Sequence, residues 1–133
     1  MLFRRLFRTQ QSLDAALAEE NIAPQEFAHS IAETCRQGLG LNFETLAGMS
    51  PGELVDFCRS GGGTWASRMA LAAYLLQCDA HLAQKQGYEA RAQAAAQEAL
   101  YLYEQLRGNA AVPAEYGIEE KREAVIRFLK STQ

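Results

Sequence analysis

With 133 residues, 48% of them apolar, the chain is long enough to bury one hydrophobic core and too short for two comfortable ones. Thirteen basic residues against 16 acidic ones leave a formal net charge of −3, and beyond the N-terminal arginines the basic side chains are scattered, which argues against a grip on a nucleic-acid backbone. No apolar run is long enough to cross a bilayer, and Cys35, Cys58 and Cys78 stand far apart among apolar neighbours, as buried free thiols do in a reducing compartment, so a soluble cytoplasmic protein is expected.

Leu2, Leu6, Leu13 and Leu17 recur at near-helical intervals and predict an N-terminal amphipathic helix over residues 2–20. Phe3 and Phe7 add to its apolar side, while Arg4, Arg5 and Arg8 make the polar one. Pro24, followed by Glu26, suits the first turn of a second helix, where proline has no donor to waste and a carboxylate meets the positive helix end. Phe27, Ile31 and Cys35 then share a face, and Gly38 and Gly40 set the expected end near Gln37. Asn42 can cap a short turn through Phe43 and Leu46. Ser50-Pro51-Gly52-Glu53 reads as a capping box, with Leu54, Val55, Phe57 and Cys58 on the apolar side of the helix it starts. Residues 24–60 are thus a set of capping helices, ended by Gly61-Gly62-Gly63, and Thr64 is expected to cap the helix that follows.

Residues 64–107 carry the strongest pattern. Trp65, Met69, Ala72, Leu76, Ala80 and Ala83 recur at spacings of three and four, and so do Tyr88, Ala92, Ala95, Ala99, Leu102 and Leu106 after the break at Gln86-Gly87. Two antiparallel helices with alanine on their facing stripes can approach closely. Gly108-Asn109 and a loop through Pro113 follow, then a last helix over 117–130, with Glu119, Glu120 and Glu123 early and Arg127 and Lys130 late, as the helix dipole favours. Ile118, Val125 and Leu129, with Ile126 and Phe128 beside them, would dock it on the hairpin. The fold class is all-α: a compact bundle of about five or six helices around the central hairpin, in one domain.

Residues 70–106 resemble a tetratricopeptide repeat. The likeness lies in Ala80 and Ala83 of the first helix, Gly87 at the turn with an aromatic residue, Tyr88, after it, and Ala92 and Ala99 of the second helix followed by Leu100. Asp79 stands near the family's expected leucine, and the next proline is Pro113 rather than one directly after the second helix. The resemblance implies helix-pair packing and a surface that contacts other proteins. A single copy of the pattern cannot bury both its faces, so the flanking helices must cap it. The layout as a whole is also similar to small uncharacterised bacterial proteins.

Candidate sites are few. Cys78 and His81, three apart, have a spacing that metal ligands use, but Cys78 continues the apolar stripe of Leu71, Leu75 and Leu82, and zinc needs about four ligands. No metal and no cofactor are expected. His29 and Glu33, one turn apart, read as a surface pair. Ser60 to Thr64 precede a helix start that could hold an anion, yet the Gly-Lys-Ser/Thr ending of a phosphate loop is missing. Neither histidine has a nucleophile and an orienting acid at recognisable spacing, so no catalytic residue is assigned. A polar stripe made by Tyr74, Gln77, His81 and Lys85, with Gln93, Gln97, Tyr101 and Glu104 on the partner helix, is either a protein-contact surface or an ordinary solvated face. The segment Leu2, Phe3, Arg4, Arg5, Leu6, Phe7, Arg8 reads as an association helix covered by its own domain, by a second copy or by anionic lipid. The expectation is a non-enzymatic protein-interaction or assembly module; the alternatives are a small homodimer, or a peripheral membrane adaptor using the N-terminal helix.

Overall fold

A computed structural model describes residues 23–110 and 112–131. The expected association helix over 2–20, with Leu2, Phe3, Arg4, Arg5, Leu6, Phe7 and Arg8, lies outside the described residues. Among those described there are six α-helices and no strand: α1 Pro24–Leu39, α2 Phe43–Ala47, α3 Pro51–Arg59, α4 Trp65–Lys85, α5 Glu89–Leu106 and α6 Ile118–Ser131. The all-α bundle is what the periodicities foretold.

The local start signals act as read. Pro24 opens α1, Asn42 Oδ1 accepts from Thr45 N–H at 2.9 Å to cap α2, and at α3 Ser50 and Glu53 form the full reciprocal capping box. Two boundaries differ. Helix α1 runs through Gly38 to Leu39, not to Gln37, because Leu39 has a core site to fill and Gly40, at φ +77°, supplies the left-handed turn that returns its N–H to Arg36 O. Thr64 does not cap α4. It ends a single 3-10 turn over Gly62–Thr64, its hydroxyl donates to Gly61 O at 3.1 Å, and α4 grows directly out of that turn. A second 3-10 turn, Ala114–Tyr116, interrupts the loop before α6 and delivers the buried Tyr116.

The α4–α5 hairpin turns on a Schellman motif: Gly87 has φ +85°, Tyr88 N–H reaches Ala83 O at 2.8 Å and Gly87 N–H reaches Gln84 O at 3.1 Å. Met69, Leu76, Ala92, Ala99 and Leu102 are all at most 1% exposed in its seam. At the two ends the stripes run out: Trp65 is only half-buried and Tyr88 lies outside the seam, 57% exposed.

Helix α4 is more than half of a hairpin. Every residue from Met69 to Ala80 is buried, with α1, α3 and α5 packed around it and α6 touching it more lightly. A helix that is apolar all round belongs in a core. Helix α6 rests chiefly on α5; Ile118, Val125 and Phe128 are buried in the core, and Leu129 packs against it partly buried.

Candidate functional site

The expected polar stripe splits in two. Tyr74 and Gln77 are 1% and 5% exposed, so neither can belong to a contact surface. Their side of α4 is covered by its neighbours, and the polar atoms find partners inside: Tyr103 of α5 donates its hydroxyl to Gln77 Oε1 at 2.7 Å, and the Lys121 ammonium of α6 sits 5.3 Å from the centre of the Tyr74 ring. Lys121 also donates to Tyr116 O at 2.5 Å, and Tyr116 shares a 3.3 Å hydroxyl contact with Ser67 of α4.

His81 is half-buried, its ring edge-on to Phe128 with centroids 4.8 Å apart. Burial, and then Lys85 one turn away, pushes its imidazole below the ordinary value. Cys78 is fully buried like Cys35 and Cys58. Burial holds the Cys35 and Cys58 thiols up at about 11. Among the described residues, no three of His, Cys, Asp and Glu gather as metal ligands would.

What stays outside is Lys85 with Gln97, Tyr101 and Glu104 of α5; Gln93 is half-buried. Ala90, Ala94, Gln97, Tyr101 and Glu104 fall at helical spacing along one exposed ridge of α5, and Tyr101 is 42% exposed there. Glu104 is tied by Arg122 of α6 at 2.5 Å. The glycine run before α4 is packed by a side chain of that helix. Arg68 stacks on Phe57, its guanidinium 4.6 Å from the ring centre, and a Cβ on Gly61 would lie 2.4 Å from Arg68 Cδ. Gly61 therefore serves packing, which leaves less room for the anion reading.

Sequence reasoning missed a groove of about 470 Å³ between α1, α2 and the turn end of the hairpin. Ile31 and Leu82, both nearly fully buried, are its apolar floor; Ala28 and Ala32 of α1 and Phe43 of α2 border it. At its side the Asp79 carboxylate, 6% exposed, is gripped by both Nη2 and Nε of Arg91, which bridges α4 to α5. That forked pair lets a carboxylate sit in a helix otherwise built of leucine and alanine. The signal was there to read: Asp79 is the one acidic residue of α4, at the place where the resemblance asks for leucine. Arg91 also borders a shallower depression with Tyr88, Glu89 and Ala90, so the two hollows adjoin.

No helix among the described residues is long and apolar enough to span a membrane. Compared with known proteins, the chain matches no family model, no curated protein and no solved structure.

Proposed function

We propose that this chain is a non-enzymatic protein-interaction module, a tetratricopeptide-like hairpin closed by capping helices, whose contact face is the outer ridge of α5. The observation that carries the reading is the placement of Gln97 and Tyr101 on that ridge beside two alanines, with the tyrosine ring substantially exposed. A ring that offers apolar area and a hydroxyl on a smooth helical surface is the kind of group that anchors a protein contact. The close alanine seam beneath it keeps the ridge rigid, so little ordering would oppose binding.

The test is affinity capture by tagged full-length protein from its native cell extract, alongside a double variant, Gln97→Ala with Tyr101→Ala, and mass measurement of the purified protein. A partner retained by the native chain and lost by the variant, at unchanged melting temperature, is the expected result. Identical capture by both overturns the assignment of the face. A particle of twice the chain mass that the double variant leaves intact would favour the homodimer. Co-sedimentation with anionic vesicles would favour the peripheral adaptor.

A further inference from the structure

The flank of the α5 ridge holds a carboxylate that the fold does not satisfy. Glu98 is half-buried, and its Oε2 is sealed from solvent with no hydrogen-bond partner, while Oε1 is neither sealed nor paired. Resting on the reading of α5 as the contact face, we propose that the partner is a basic protein segment that sets a lysine ammonium against Glu98 Oε1, beside the Tyr101 ring.

Three observations point to a cation. The first is the helix itself. The side chains one turn from Glu98 are Ala94, Ala95, Tyr101 and Leu102, none of them basic. Arg91, the one base of α5, lies two turns away, about 10 Å along the axis, and is committed to Asp79. The second is the surroundings. The arginines at the end of α5 and on α6 are also taken, Arg107 by Glu119 and Arg122 by Glu104. Each of these bases holds an acid, whereas Glu98 is paired with no base among the described residues. The third is the cost of burial. The Glu98 carboxyl is pushed above its ordinary value, because one oxygen has left water without gaining a donor. A cation on the open oxygen stabilises the charge that burial disfavours. With a single oxygen open, the arginine fork finds no second acceptor, so the point charge of lysine fits better. Tyr101 stands three residues on, where Cβ atoms are about 5–6 Å apart, so its exposed ring can cover the methylene stem of that lysine while the ammonium reaches the carboxylate. Ala94, exposed one turn before Glu98, leaves the approach unobstructed.

The experiment is titration of the full-length protein with heptalysine, read by NMR at the Glu98 carboxyl carbon and the Tyr101 ring, with light scattering of the free protein. Two variants each remove one negative charge: Glu98→Gln on the flank of the ridge, and Glu123→Gln at an exposed position of α6. The expected result is a saturable shift at both reporters and a dissociation constant that rises at least about threefold in Glu98→Gln but changes less than about twofold in Glu123→Gln. Glu98→Gln is also expected not to lower the melting temperature; a lowered one would mean that the charge is satisfied within the fold, and overturns the proposal. Equal weakening in the two variants overturns it as well, since the peptide would then read net charge alone. So does a dimer that covers Tyr101 before any peptide is added, or a shift of the same reporters by anionic vesicles. In the capture experiment, a protein lost by Gln97→Ala with Tyr101→Ala but kept by Glu98→Gln leaves the α5 face standing and overturns the lysine.

Discussion

Helices α4 and α5 are partners in one hairpin, yet they solve opposite problems. Fifteen of the 21 residues of α4 are buried, against seven of the 18 in α5. Both are rich in alanine, and composition alone would have made them alike. The difference comes from what surrounds them. α4 is enclosed by α1, α3 and α5, so its polar residues must be satisfied internally, by Tyr103 for Gln77 and by Arg91 for Asp79. α5 is covered chiefly by α4 and α6, with a lighter contact from α3, and leaves a ridge outside. An alanine-rich helix is therefore a permissive element: its neighbours decide whether it becomes core or surface.

The sharpest way to break that contrast is truncation. Leu75→Ala in α4, where the side chain is wholly buried, is expected to cost about 2–5 kcal/mol through lost burial and the cavity it leaves. Leu100→Ala in α5, only partly buried, should cost distinctly less. Equal shifts in urea midpoint for the two would dissolve the distinction. Overpacking probes the seam the helices share: Ala99→Phe, at a fully buried position, should cost on the order of 1–3 kcal/mol, and an unchanged midpoint would mean the backbones are not close there.

Next in size is the internal polar pair. Tyr103→Phe removes the hydroxyl that satisfies Gln77 Oε1 and is expected to cost about 1–3 kcal/mol, with most of it recovered when Gln77 is also replaced by Leu. A double-mutant cycle that shows no coupling would sink the claim that α4 tolerates polarity only through partners.

His81 gives a pH-dependent test. Its folded value lies below the ordinary 6.5 because burial and Lys85 disfavour the charged form, so the unfolded chain takes up the proton first on acidification. Its contribution to stability is whole above about pH 6.5 and is lost as pH falls toward the lower folded value. Denaturation midpoints should decline through that window in the native protein and decline less in His81→Gln; parallel profiles would remove His81 from the account. Smallest of all, Tyr101→Ala on the outer ridge should move stability by no more than about 0.5 kcal/mol, and a larger loss would show that the ridge is packed rather than presented.

Much of this architecture was legible. Ser50 to Glu53, Asn42, Pro24 and Gly87 acted as their chemistry dictates, because caps and turns are settled by a few adjacent residues. The alanine stripes found the hairpin for the same local reason. The polar stripe was misread for a nonlocal one: Tyr74 and Gln77 are spaced as a solvated face, and only the arrival of α5 and α6 turns that face inward. The groove was hidden likewise, since it joins residues from α1, α2, α4 and α5 that no single periodicity connects. Thr64 failed as a cap because the preceding glycines continue the chain into a 3-10 turn, which makes the usual Ncap geometry unnecessary.

The three buried thiols give this fold a set of internal reporters. Cys35, Cys58 and Cys78 sit in α1, α3 and α4, each sealed from solvent. With Cys35 and Cys58 held at about 11, almost none of either is thiolate near neutrality, so an alkylating reagent can act on them only after the surrounding helix has opened. The rate at which each cysteine is labelled under native conditions thus clocks the opening of its own helix. If the bundle loosens from its capping helices inward, Cys35 and Cys58 will be labelled before Cys78; if it opens all at once, the three will react together.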